Sequence, residues 1–157
     1  RALSIYAALA SDLPEPVEKH PEWIFRYGYS LEMLGRRIEA VEVFEDFLRR
    51  FPSETQFRRF VMYRLMSMGI DRAEALLSTA EPDAALEELA DVVDAGWHPD
   101  LMQKARLLSG EAEEARGDLQ AARRWYERVV EDGARFGGAH VREAQERLQK
   151  LGELGVH

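Results

Sequence analysis

The sequence contains no cysteine. That excludes disulfides, thiolate metal ligands and cysteine nucleophiles, and it leaves the compartment open, because a cysteine-free chain suits either redox setting. Lysine is nearly absent, with 3 lysines against 18 arginines, a bias that points to a GC-rich, bacterial coding sequence. Positive charge as a whole is in deficit: 21 Lys and Arg against 29 Asp and Glu give a net charge of −8. A nucleic-acid binder needs a basic domain or stripe, so this balance argues against that class. It also disfavours attraction to anionic membranes. No apolar run approaches the ~20 residues of a membrane span, and no signal peptide is visible. Direct membrane insertion is therefore not expected. The chain opens on Arg1, which suggests a piece of a longer protein, in the bacterial cytoplasm or periplasm.

Catalytic constellations are missing too. There is no nucleophile elbow, phosphate loop or dinucleotide fingerprint. The four histidines are His20, His98, His140 and His157. Neither His20 nor His98, each followed by proline, has a second histidine or carboxylate one helical turn on, as metal chelation commonly uses. Acidic neighbours such as Glu87–Glu88 and Glu113–Glu114 are adjacent in sequence, and adjacent helical residues do not face each other, so they read as solvated faces rather than catalytic pairs. No catalytic group, metal or cofactor is expected, and the chain reads as a non-enzyme.

What is present is helix. Segments of about 10 to 18 residues carry apolar side chains at helical spacing, divided by short Pro, Gly or Asp punctuation. No segment alternates with period two, so no strand is expected. The pattern predicts helices near 1–11, 21–34, 37–51, 55–69, 71–80, 83–95, 99–116, 119–132 and 139–151. Pro21, Pro82 and Pro99 suit a first turn, where the missing N–H costs nothing. Asp71 with Glu74 resembles a capping box, and Asp118 a simple cap. Gly35, Gly69, Gly96, Gly117 and Gly133 stand where helices are expected to stop.

The helices repeat. Gly28, Gly35, Ala40 and Phe44 are spaced by 7, 5 and 4, and so are Gly110, Gly117, Ala122 and Tyr126. Ala2, Tyr6 and Pro14 match Ala40, Phe44 and Pro52, and Ala85 with Leu89 continues the series. Antiparallel helices approach closely only where side chains are small. A glycine in the first helix and an alanine in the second supply that contact, and the aromatic one turn later fills the wedge toward the next pair. Such a pair cannot bury its own apolar face, so pairs must stack.

These residues resemble the tetratricopeptide repeat (TPR), a 34-residue helix–turn–helix unit. Residues 21–54 match through Tyr27-Gly28, Leu31, Gly35, Ala40, Phe44 and Pro52. Residues 99–134 match at Gly110, Gly117, Ala122 and Tyr126, and residues 1–14 look like the second helix of a partial repeat. Phe47 stands where the family has a small residue, Ser109 where it has leucine, and Ala134 where it has proline. Residues 55–95 form an expanded, irregular repeat, with about ten extra residues placed around Ile70 to Ala80 and with 55–80 as a long or broken first helix. Residues 139–151, with Ala144, Leu148 and Leu151 on one face, fit a C-terminal capping helix. The resemblance implies one all-α domain over 1–157, of antiparallel helix pairs stacked in a right-handed superhelix. The phrase from Ala40 to Pro52 is also similar, more weakly, to repeats of bacterial cell-envelope adaptors, including outer-membrane assembly lipoproteins and the periplasmic coordinators of the Tol–Pal system.

In that family the first helices line a concave face, and the resemblance places there Phe25, Tyr29, Glu32 and Met33, then Arg59, Tyr63 and Met66, then Lys104, Leu107, Glu111 and Glu114. The functional reading is a peptide groove with aromatic anchors and an arginine for a carboxylate. The competing reading packs Phe25 or Tyr29 between neighbouring repeats. Arg58, Arg59 and Arg64, with Arg26 nearby, form a basic cluster suited to an acidic peptide or a C-terminal carboxylate; local pairing with glutamates is the alternative. The lysine, asparagine and arginine set of the family's chaperone-binding clamps is not reproduced, because Glu22, Phe25 and Tyr29 hold those positions. Trp23, Trp97 and Trp125 read as core or inter-repeat wedges, with Trp97 the one most open to a binding role. The expected function is a non-catalytic scaffold that binds a protein or peptide, within a larger bacterial protein or assembly. The alternatives are a homo-oligomerisation module, through an apolar face left by the mid-repeat start, and a regulatory segment of a larger enzyme.

Overall fold

Seven helices and no strand occur among the described residues, 20–53, 56–95 and 98–156 of a computed structural model. They are α1 (Pro21–Met33), α2 (Arg37–Arg50), α3 (Gln56–Ser78), α4 (Pro82–Ala95), α5 (Pro99–Arg116), α6 (Leu119–Phe136) and α7 (Val141–Glu153). The fold is all-α, as the periodicity predicts. The expected helix near 1–11, the partial repeat 1–14, the Gly96 stop and Trp97 lie outside the described residues.

Local chemistry accounts for most helix ends. Pro21 and Pro99 sit in the first turns of α1 and α5, and Pro82 opens α4. The Asp118 carboxylate accepts the Ala121 N–H at 2.8 Å, capping α6. Gly35 and Gly117 follow α1 and α5 at φ +74° and +85°, the left-handed conformation that glycine adopts without a steric penalty. Beyond them Arg36 N–H reaches Leu31 O and Asp118 N–H reaches Glu113 O, both at 2.9 Å, which satisfies carbonyls at the helix end.

Three expected boundaries fall elsewhere. Helix α3 is one unbroken helix through Gly69 and Asp71, so neither residue ends or starts a helix. Gly69 is needed for space: a Cβ there would lie 2.9 Å from Val92 Cγ2 of α4. The α3 stop is Ala80 at φ +60°, with Glu81 N–H bonded to Leu76 O at 2.9 Å. Gly133 likewise lies inside α6, where a Cβ would strike Val141 of α7.

The expansion also moves. Helices α2 and α4 begin 45 residues apart, at Arg37 and Pro82, and the same offset carries all of α1 onto residues 66–78. The extra turns of the middle pair are therefore 56–65, at the start of α3, and not the residues around 70–80.

The chain divides into two compact units, 1–65 and 66–157. In the first, α1 packs on α2, and Ile24, Leu31, Ala40, Val43, Phe44, Phe47 and Val61 are buried. A Cβ on Gly28 would lie 2.5 Å from Phe44 Cε1, so the ring rests directly on the α1 backbone. In the second, Met66, Ile70 and Ala73 of α3 form one core with Ala85, Leu89 and Val92 of α4 and Ala105 and Leu108 of α5. A neighbouring core joins Leu107, Ala122, Tyr126, Val129, Ala144 and Leu151, from α5, α6 and α7. Tyr126 lies against Gly110 as Phe44 lies against Gly28. Full burial of such a ring contributes on the order of 1.5–3 kcal/mol, and here the 16-residue glycine–aromatic spacing positions it.

Candidate functional site

In the first unit, α1 and the opening of α3 present an aromatic surface. Phe25 is its centre. The ring lies 6.2 Å from Tyr29, 6.3 Å from Phe44, 5.6 Å from Phe57 and 5.9 Å from Phe60, centroid to centroid. These separations are those of favourable aromatic pairs. Phe25 is half-buried by this packing. Around it Tyr29, Phe60 and Tyr63 are 41%, 52% and 37% exposed. The repeat resemblance pointed to Tyr29 and Tyr63. It missed Phe60, whose position one residue after Arg59 reads as the edge of the helix face.

The polar half of this surface is an ion pair. Arg64 Nε donates to Glu32 Oε2 at 2.8 Å, and its Nη2 donates to Glu32 Oε1. The same guanidinium lies 5.4 Å from the Tyr29 ring centroid, within cation–π range. The hydrogen bond to Glu32 is the main cause holding the Arg64 pKa above its ordinary value, against partial burial. The basic cluster expected here is thus partly used within the chain. Arg64 is committed to Glu32, and Arg58 Nη1 donates to Leu48 O at 3.1 Å. Arg59 and Arg26 are exposed. Met33 is 62% exposed at the end of α1.

Of the expected positions in the second unit, two are covered and the others pair within the chain. Met66 and Leu107 are core residues, 3% and 4% exposed, and are not surface contacts. Helical spacing marks them as apolar without revealing that the one joins a core with α4 and α5 and the other a core with α6 and α7. Lys104 pairs with Glu74 at 2.8 Å. Glu111 and Glu114 both face α7, where Arg147 donates to them at 2.6 and 2.7 Å. Burial raises the Glu111 pKa, with Arg147 pulling the other way. Burial likewise raises that of Tyr126, beside Glu114, Arg147 and Glu111.

Among the described residues no group of three His, Cys, Asp or Glu side chains is placed to hold a metal ion, and no helix is long and apolar enough to cross a membrane. An open pocket in the second unit is lined by Glu113 of α5 and by Ala121, Arg124, Trp125 and Arg128 of α6.

A tetratricopeptide repeat family model matches residues 70–140. Residues 70–140 carry tetratricopeptide repeats. The match begins in the last turns of α3 and runs through α4, α5 and α6, so it includes the stretch that looked least regular in sequence. The fold is shared with the N-terminal domain of stress-induced protein-1 from C. elegans: the TM-score is 0.51 at 14% identity, over 87% of this chain and 98% of that one. No curated protein matches the chain. Tetratricopeptide repeats generally mediate protein–protein interaction, and their fold is typically a non-catalytic interaction scaffold.

Proposed function

We propose that the chain is a protein-interaction scaffold and that the α1–α3 face of its first unit holds a peptide. The observation that supports this reading is the exposed aromatic group Tyr29, Phe60 and Tyr63, set on the half-buried Phe25. Monomeric surfaces seldom expose a contiguous apolar patch without using it, and tyrosine at a rigid helical position gives contact area at little entropic cost. The ligand is an extended or helical segment with apolar anchors for the three rings. A carboxylate near them would meet Arg59, while the Glu32–Arg64 pair offers a neutral polar edge that fixes the position of Tyr29.

The test is capture of binding segments from a peptide array, followed by titration with Tyr29→Ala, Tyr63→Ala and Arg59→Glu. Each tyrosine truncation should weaken binding about tenfold or more, on the order of 1.4 kcal/mol. Unchanged affinity in both tyrosine variants, with helicity intact, would remove this face as the binding site.

A further inference from the structure

The pocket at Arg124, Trp125 and Arg128 belongs to the second unit, and its surroundings follow a pattern. On α6, Arg124, Arg128 and Arg135 fall within about 40° of arc at 3.6 residues per turn, and all three are exposed. Glu131 lies about 20° beyond that arc, and the stripe is net positive. On α4, Asp83, Glu87, Asp91 and Asp94 fall within about 80° of arc and are exposed as well. Among the described residues, Arg124, Arg128, Glu87, Asp91 and Asp94 form no ion pair or hydrogen bond.

The two stripes lie on one side of the unit. Arg116 of α5 ties the α4 stripe to the pocket beside the α6 stripe: its Nε meets Asp83 of α4 at 2.9 Å and its Nη1 meets Glu113 of α5, which lines the pocket, at 3.2 Å. Both α4 and α6 pack on α5 and run opposite to it, so they run parallel to each other. The repeat sets them level. Ala85 and Ala122 are equivalent buried positions 37 residues apart, and the same offset carries Glu87 onto Arg124 and Asp91 onto Arg128. Consecutive repeats therefore offer opposite charges at the same two positions.

We infer that this face pairs with the same face of a second copy of the chain. A two-fold axis running between α4 and α6, parallel to both, places α4 of each copy over α6 of the other. The patch is then self-complementary, as a two-fold interface requires. Glu87 and Asp91 of one copy stand opposite Arg124 and Arg128 of the next, twice over. Half-buried Trp125 and, three turns along the same α6 face, Phe136, 63% exposed, supply apolar contact. A simple acidic ligand would satisfy the arginines and be repelled by the α4 stripe beside them. A second copy satisfies both.

The test is sedimentation of the whole chain over a concentration range at about 50 mM and about 500 mM salt, where screening lengths differ several-fold. The wild type should dimerise with concentration at low salt and dissociate at high salt. Arg124→Glu/Arg128→Glu and Glu87→Arg/Asp91→Arg should each stay monomeric, with helicity unchanged, because all four positions are exposed. An equimolar mixture of the two variants should restore the dimer, since every contact is again between opposite charges. A wild type that stays monomeric at millimolar concentration overturns the inference. So does a dimer insensitive to both reversals, or a mixture that fails to reassemble. Binding of polyglutamate by a monomeric wild type, lost in Arg124→Glu/Arg128→Glu, would also overturn it and assign the pocket to an acidic partner.

Discussion

Arg64 holds Glu32 through two nitrogens from the opening of α3 to α1, and the Glu32 side chain it neutralises is only 10% exposed. Removing the arginine leaves that carboxylate largely shielded from water without its counter-charge. Arg64→Ala should cost about 1–3 kcal/mol, the range for stranding a partly buried acceptor. Arg64→Lys should recover only part, because an ammonium cannot reproduce the planar two-point grip. Urea midpoints of the two variants check this. Equal midpoints for wild type and Arg64→Ala would mean the pair contributes nothing to the fold.

Gly28 and Gly110 should be intolerant of a single added methyl. At Gly28 the new carbon would sit 2.5 Å from the Phe44 ring, and at Gly110 it would enter the Tyr126 ring. Both rings are fully buried, so neither can swing away without disturbing its core. Alanine at either site should cost about 1–3 kcal/mol through overpacking. Gly152, in α7, has open space where its Cβ would be. Gly152→Ala should therefore be neutral or stabilising by up to about 1 kcal/mol through helix propensity. Thermal melts of the three variants separate packing from propensity.

These glycines also show what the sequence could and could not convey. Glycine has two uses in this chain, ending helices and admitting a neighbouring helix, and spacing alone does not distinguish them. Gly35 and Gly117 serve the first use. Gly69 and Gly133 serve the second, and were expected to serve the first. The α3 end at Ala80 has no glycine and falls close to where 71–80 was expected to stop, whereas the expected break at Gly69 does not occur. The 7-5-4 spacing was legible because it records a direct contact, glycine beneath an aromatic ring. Of the candidate site, Tyr29 and Tyr63 were named through the repeat resemblance, which puts first-helix positions on one face, and both are exposed. The burial of Met66 and Leu107 did not follow from that resemblance, because it depends on which helices cover them.

Glu111 gives the stability a defined pH response. Burial, the largest influence on it, raises its pKa above the ordinary 4.5 despite Arg147. The folded state therefore binds the proton more tightly than the unfolded chain. The resulting stabilisation is present at acid pH and is lost as pH rises through the folded pKa. Glu111→Gln remains neutral throughout. The stability of wild type relative to Glu111→Gln should fall as pH rises above 4.5, as read from paired urea titrations. A relative stability that rises over that range would show that attraction to Arg147 outweighs desolvation.

Ala80 predicts a gain. It is the one described non-glycine residue at positive φ, +60°, and it sits at the cap position after α3, where Glu81 N–H closes onto Leu76 O. An L-residue there bears a steric cost of roughly 1–2 kcal/mol that glycine escapes, while glycine in turn costs more entropy on folding, about 0.5–1 kcal/mol. The first effect outweighs the second, so Ala80→Gly should stabilise the second unit by up to about 1 kcal/mol. Ala80→Val should destabilise it, because a β-branched side chain tolerates the left-handed region least. The side chain is exposed, so no packing change obscures the comparison. If Ala80→Gly melts below wild type, entropy dominates at this cap and the strain assigned to it is too large.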